Sequence, residues 1–164
     1  MLFPAILVLE DGSVMEGIGF GSKQQYVGEI VFNTSMSGYQ EIITDPSYAK
    51  QIIAFTHPPI GTTGINEEDN ESDNIFASAI VIKDLPKNYS NWRANQSLES
   101  FLLSKNTIGI SNIDTRALTA KLREHGSLKA CIAPGGKESL SEANDALNQF
   151  SGLEGLDLAK EVST

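Results

Sequence analysis

The chain has 164 residues, 40% hydrophobic and 20% charged, which is typical of one soluble globular domain with a short tail and excludes a disordered polymer. Its net charge of −9 argues against a nucleic-acid surface or an anionic membrane surface, both of which need clustered Lys and Arg. No apolar run is long enough to cross a membrane, the start lacks the basic residues of a signal peptide, and a single cysteine fits a reducing cytosol, so we predict a cytoplasmic protein.

A β-hairpin is predicted at the N-terminus. The apolar run at residues 5–9 leads into a Glu-Asp-Gly turn at residues 10–12 and a second strand to residue 20. In the second strand, glycine recurs at every second position, at Gly17, Gly19 and Gly21. This spacing indicates a bulge or a close approach of another backbone segment. This spacing misses G-x-G-x-x-G and no helix pattern follows, so a dinucleotide-binding loop is rejected.

Residues 28–48, GEIVFNTSMSGYQEIITDPSY, contain the densest local signals of the chain. Alternation over residues 26–33 predicts a strand, and the small polar residues that follow predict a loop. Ser37 with Gln40 forms a capping-box pattern that would open a short helix. Asp45 and Pro46 then predict a β-turn over residues 45–48.

Strands and helices alternate through the rest of the chain. Further strands are predicted over residues 51–56, 75–82, 108–110 and 128–133. One helix would be capped by Ser97 and run to about residue 106. These elements define a mixed α/β fold with a mixed sheet and helices.

Two more helices carry clear end signals. Asp114 is a good N-cap for a helix that ends at Gly126, with Leu118 and Leu122 facing inward. That helix also carries the one basic cluster of the chain: Arg116, Lys121 and Arg123. Ser139 with Glu142 forms a second capping-box pattern and would open the final helix, to about Phe150.

No complete metal or catalytic constellation can be assembled from these residues. The five carboxylates within residues 66–74 lack the Gly and bidentate Glu of a calcium loop, and two histidines and one cysteine lack zinc-ligand spacing. A nucleophilic triad of Ser47, His57 and Asp45 is conceivable, but no G-x-S-x-G elbow surrounds Ser47. Cys131 lies inside a predicted apolar strand, which favours a buried small side chain over a thiolate.

The 28–48 stretch resembles the N-terminal signature of the small, glutamine-hydrolysing subunit of carbamoyl-phosphate synthetase, GEVVFNT-x-MTGYQEIxTDPSY. The similarity extends along nearly the whole chain, through LVLEDGSVMEG, QIIAFTHPPIG, ESDNIFASAIVIKDLP, SNWR, GISNIDTRALTAKLREHGSLKACI and GLDLAKEVS. Ser37 stands where the family usually has Thr, and residues 57–62 replace the family's usual Tyr-Pro-His-Ile-Gly-Asn.

The resemblance implies a swivelling β/β/α-type domain over residues 1–150. Residues 151–164 would be a linker to an absent C-terminal glutamine amidotransferase domain, which supplies the catalytic Cys, His and Glu in the family. This domain would complete the glutamine pocket, with Ser47 contacting the substrate's α-amino or α-carboxylate group. It would also dock the glutaminase onto the large synthetase subunit. The fragment alone is therefore predicted to be inactive.

The implied partners are the glutaminase domain of the same subunit, the large subunit and L-glutamine. The assembled enzyme would make carbamoyl phosphate from bicarbonate, glutamine and ATP for arginine and pyrimidine synthesis. No cofactor is expected in this domain, and ATP and Mg belong to the large subunit. Two alternatives stay open: a self-contained serine hydrolase using Ser47, His57 and Asp45, and a free-standing acidic binding module.

Overall fold

Seven β-strands and three helices are found in the residues that the computed structural model describes, which are 2–34, 50–56, 79–84, 98–126 and 128–150. The strands are β1 (Phe3–Leu9), β2 (Val14–Gly21), β3 (Tyr26–Asn33), β4 (Gln51–Phe55), β5 (Ala79–Val81), β6 (Ile108–Ser111) and β7 (Leu128–Pro134). The helices are α1 (Leu98–Ser104), α2 (Thr115–His125) and α3 (Leu140–Gln149). The predicted mixed α/β class is confirmed.

The strands close into a barrel in the order β1-β2-β6-β5-β4-β3-β7, with β7 pairing back onto β1. Antiparallel pairing joins β1 to β2, β1 to β7, β2 to β6 and β3 to β7. The neighbours β3, β4, β5 and β6 are parallel. Because parallel strands end at the same edge, the last residues of β3 and β4 lie side by side.

The predicted hairpin is formed by β1 and β2. Its turn is held by the Leu9 amide, which donates to the Ser13 carbonyl at 2.9 Å, and by the Ser13 amide, which donates to Asp11 Oδ1 at 2.9 Å. Gly12 has φ +95°, a left-handed conformation that favours glycine. A side chain at Gly19 would collide with the Phe3 ring, so the predicted close approach is also confirmed.

Two hydrophobic clusters of described residues pack α2 and α3 against the barrel. The interior is filled by buried residues of six strands, including Leu7, Ile30 and Ile52, and β2 contributes the partly buried Met15. One end is closed by Leu118 and Leu122 of α2. The second cluster lies outside the barrel, where Ala143 and Leu147 of α3 cover the outward side chains Ile6, Val8, Cys131 and Ala133. Burying each large aliphatic side chain contributes about 1.5–3 kcal/mol, so both clusters stabilise the domain.

Helix α2 begins and ends where its sequence signals predict. Asp114 is the N-cap, and its Oδ1 accepts a hydrogen bond from the Ala117 amide at 3.0 Å. Gly126 follows the helix at φ +78°. The inward-facing prediction for Leu118 and Leu122 is confirmed, since both are buried.

The predicted capping box at the start of α3 is wrong. Ser139 is the N-cap residue, but its hydroxyl makes no cap bond and donates instead to the Pro134 carbonyl at 2.8 Å. A 3-10 turn over Lys137–Ser139 precedes the helix, and the Gly136 amide donates to Glu138 Oε1 at 2.8 Å. The hydroxyl therefore ties the end of β7 to the start of the helix. No helix in the described ranges is long and apolar enough to span a membrane.

Candidate functional site

The three residues singled out from sequence for substrate contact or catalysis, Ser47, His57 and Asp45, lie outside the described residues. So do the Ser37–Gln40 capping pattern, Ser97 and the acidic run at 66–74. The described chain stops at Thr34, resumes at Lys50 and stops again at Thr56, immediately before His57. The structure thus describes strands β3 and β4. The segment that carries Ser47 connects the end of β3 to the start of β4.

The edge at which β4 begins is held in an unusual backbone conformation. Lys50 has φ +64°, a left-handed value that costs a non-glycine residue about 1–2 kcal/mol. Its carbonyl accepts a hydrogen bond from the Tyr26 hydroxyl at 3.3 Å. A Cβ at Gly28 would lie 2.9 Å from the same oxygen, so glycine is required for the strands to approach this closely. These contacts fix the point at which the chain enters β4, three residues after Ser47.

The opposite edge, where β3 and β4 end, carries an open cleft of about 340 Å³ against α2. Its walls are Thr34 and Thr56 on the strand side and Thr115, Arg116, Thr119 and Arg123 on the helix side. We call this cavity the arginine cleft. Thr56 is fixed by two hydrogen bonds to the Asn33 carbonyl, from its amide at 3.2 Å and from its hydroxyl at 3.0 Å.

One face of α2 forms the helix wall of the arginine cleft. Arg116, Thr119 and Arg123 follow one another at steps of three and four residues, the spacing that aligns side chains on a single helix face. The Thr119 hydroxyl donates to the Thr115 carbonyl at 2.7 Å. The Arg123 guanidinium lies over the Phe32 ring, 5.7 Å from its centroid. This cation–π contact holds one charge at the mouth of the cleft.

The basic cluster predicted on α2 is split in three dimensions. Lys121 points to the opposite side of the helix and pairs with Asp11 at 3.2 Å, which anchors α2 to the β1–β2 turn. The hydrogen bond from the Ser13 amide, with a smaller contribution from Lys121, lowers the pKa of Asp11. Only Arg116 and Arg123 reach the cleft.

Cys131 is fully buried in β7, as predicted, and burial raises the pKa of its thiol to about 12. A thiol with such a pKa stays protonated at neutral pH and cannot act as a thiolate nucleophile. No group of three or more His, Cys, Asp or Glu side chains arranged to hold a metal occurs among the described residues.

Sequence reasoning missed the threonines of the arginine cleft. The positions 116, 119 and 123 follow a helical period, which could have marked them as one face of α2. What the sequence did not show is that Thr34 and Thr56 end parallel strands directly opposite that face, because parallel pairing of β3 and β4 is a long-range contact.

Fold and site together define a mixed α/β barrel domain with an open, basic polar cleft at the end of its parallel strands. Residues 7–132 match the carbamoyl-phosphate synthase small chain family, CPSase domain, and the chain belongs to that family.

Curated relatives support this assignment along the whole chain. A carbamoyl phosphate synthase small chain of Pseudomonas aeruginosa is 51% identical over 164 residues, which are 100% of this chain and 43% of the relative. One from Vibrio parahaemolyticus is 53% identical over 160 residues, 98% of this chain and 42% of the relative. The chain therefore spans less than half the length of these relatives.

Among solved structures, an aminopeptidase from Aneurinibacillus sp. strain AM-1 matches 83% of this chain and 33% of its own. Its TM-score is 0.42 and its sequence identity 16%, too low to support an argument about fold or function.

Proposed function

We propose that this chain is the N-terminal domain of a carbamoyl-phosphate synthase small subunit, and that it completes the glutamine pocket and docks the glutaminase onto the large synthetase subunit. The observation that carries the proposal is that this chain is 51% and 53% identical to two small chains over essentially its whole length. The aligned residues make up only 43% and 42% of those relatives. The complete subunit would thus contain a further domain, which we assign to glutamine hydrolysis.

Ser47 is the residue that we assign to glutamine. The assignment rests on the sequence Asp-Pro-Ser-Tyr at residues 45–48, which predicts a β-turn, and on the fixed entry into β4. Lys50 accepts a hydrogen bond from the Tyr26 hydroxyl and packs against Gly28, and strand β4 begins at the next residue, four residues after Ser47. A hydroxyl next to such an anchor can hydrogen-bond a substrate ammonium or carboxylate with little loss of conformational entropy on binding.

Replacing Ser47 with alanine tests this assignment in the complete small subunit assembled with the large subunit. We expect the KM for glutamine to rise roughly 5-fold, for a lost hydrogen bond of about 1 kcal/mol, and more if the contacted group is charged. The kcat should change less, because a binding contact is removed. Synthesis from added ammonia should be unaffected, since it bypasses the glutamine pocket.

Ser22→Ala is the matched control, because the hydrogen bonds of Ser22 to the Thr107 carbonyl and from the Gln24 amide use its main chain and survive the change. An unchanged KM for glutamine in Ser47→Ala would remove Ser47 from the pocket. The variant His57→Ala distinguishes the proposed function from the serine-hydrolase alternative. Only a hydrolase that uses His57 would lose its activity with this change.

The 164-residue chain by itself should release no ammonia from glutamine. Its one thiol is Cys131, and that side chain is buried and protonated at neutral pH. Ammonia release is measured with the purified chain and, as the positive control, with the complete subunit. Sustained release by the purified chain would contradict the assignment of glutamine hydrolysis to another domain.

A further inference from the structure

We propose that the arginine cleft is a binding site for an oxyanion, a phosphate or a carboxylate group, carried by a small molecule. The side chains with polar atoms that line the cleft are two arginines and four threonines, and none is acidic. Arginine offers five N–H donors and no acceptor, and a threonine hydroxyl can donate. Such a lining is complementary to an anion and repels a cation. The inference is independent of Ser47, because it uses other residues at the opposite end of the β3–β4 pair.

The two arginines lack acidic partners within the described part of the chain. The described lysines of the neighbouring surface are paired, Lys121 with Asp11 at 3.2 Å and Lys129 with Glu10 at 3.9 Å. Neither Arg116 nor Arg123 has a carboxylate of the described residues within the 4.0 Å of an ion pair. In a chain with 21 acidic and 12 basic residues, two neighbouring guanidinium groups that form no ion pair with a described carboxylate leave a local positive charge that an anion can neutralise.

A buried hydroxyl in the cleft likewise has no hydrogen-bond partner among the described residues. Thr115 is only 5% exposed, and within the described ranges its hydroxyl makes no hydrogen bond, although its carbonyl accepts one from Thr119. A buried hydroxyl without a partner costs free energy, which a bound acceptor would recover. Thr115 and Arg116 also open the first turn of α2, where amides have no intrahelical partner. Asp114 uses its carboxylate on the Ala117 amide, and no described residue accepts from the Thr115 or Arg116 amide.

The dimensions suit a small ligand. Arg116 and Arg123 are seven residues apart on one helix face, which separates their Cα atoms by about 10.5 Å along the axis. Ala120 lies between them on the helix, is exposed and lines the same cleft. The cavity volume of about 340 Å³ lies at the low end of small-molecule sites. Planar guanidinium groups bind phosphate and carboxylate with paired hydrogen bonds, so both headgroups fit.

The test titrates the full 164-residue chain, labelled with ¹⁵N, with inorganic phosphate and separately with succinate at constant ionic strength. We expect saturable shifts of the Arg116 and Arg123 side-chain N–H signals and of the α2 amides near Thr115. Arg116→Gln and Arg123→Gln should each weaken binding at least about 10-fold, since each removes a charge-assisted contact. Tighter binding of phosphate or of succinate identifies the headgroup, and either result supports the site.

Lys121→Gln is the matched control, because it removes the same charge from the same helix but on the face that contacts Asp11. It should leave the affinity unchanged. Ala120→Glu places a competing carboxylate between the arginines at an exposed helix position, and it should abolish binding while the chain stays folded. The proposal is overturned if neither anion gives saturable shifts, or if Lys121→Gln weakens binding as much as Arg123→Gln does.

Discussion

At the scale of the residue, Cys131 shows how burial removes the chemistry of a nucleophilic side chain. Its sulfur lies among Ile6, Val8, Ala133 and the α3 residues of the outer cluster, where a thiolate would be poorly solvated. Desolvation raises the pKa from the ordinary 9.0 to about 12. This cysteine is therefore part of the packing of the barrel wall.

The native thiol should resist alkylation at pH 8 and react only when the chain is unfolded in urea. A pH dependence accompanies this behaviour. Because the folded pKa is raised, the unfolded thiol ionises first, and stability is lost as pH rises from about 9 towards 12. The loss approaches about 1.4 kcal/mol per pH unit within that window. Urea unfolding at several pH values measures it.

Cys131→Ala is the control for the alkaline effect. The variant keeps an apolar side chain in the outer cluster but cannot ionise, so its unfolding free energy should fall less steeply above pH 9. Equal slopes in the two proteins would show that Cys131 is not the group responsible. Rapid alkylation of the folded chain at pH 8 would contradict the burial itself.

At the scale of the element, two helix starts with similar sequence signals behave differently. Asp114 caps α2 with its side chain, as its sequence position predicts. Ser139 opens α3 with the same kind of signal, yet its hydroxyl bonds to the Pro134 carbonyl. A capping pattern identifies where a helix begins, but a tertiary acceptor decides which bond the side chain makes.

Asp114→Ala should lower the free energy of unfolding by about 1 kcal/mol, because it leaves the Ala117 amide without its partner. Asp114→Asn is the matched control, since an amide oxygen can accept the same hydrogen bond, and it should lose less. Urea unfolding followed by circular dichroism at 222 nm measures both variants. Equal losses in the two variants would show that the carboxylate charge, and not the acceptor, is what matters.

Local patterns predicted the strands and the two later helices because alternation, turn residues and caps are short-range signals. Strand β6 and helix α2 lie within a residue or two of the predicted positions. Closure of the barrel could not be read in this way, since β7 pairs with both β1 and β3 far away in sequence. The arginine cleft likewise combines the ends of two parallel strands with one face of a later helix. The split of the basic cluster depends on Asp11, more than a hundred residues from Lys121.

At the scale of the whole molecule, β7 and α3 act as one closing unit. Strand β7 joins β1 to β3 and removes the open edges that an incomplete barrel would expose. Helix α3 follows it directly and covers the outward side chains of β1 and β7. The described members of the outer cluster end at Leu147 and α3 ends at Gln149, so we propose that the folding unit ends near Phe150.

A pair of truncations tests this boundary. Removal of residues 151–164 should leave the midpoint of urea unfolding unchanged, because the proposed folding unit ends at Phe150, after the last described member of the outer cluster. Removal of residues 137–164 deletes α3 and exposes Ile6, Val8 and Cys131, so the cooperative transition should weaken or disappear. Total stability is only about 5–15 kcal/mol for a typical domain, and the outer cluster is a large part of it.

The variant Leu147→Ala in the full chain measures how much one α3 side chain of the outer cluster contributes to stability, without deleting the helix. Leu147 is 5% exposed, and its loss should cost about 2–5 kcal/mol through lost burial and the cavity left behind. If the shorter deletion also lowers the midpoint, the folding unit extends into residues 151–164, and the boundary at Phe150 is wrong. If the longer deletion is harmless, the outer cluster does not hold the barrel closed, and hydrogen bonding by β7 alone must do so.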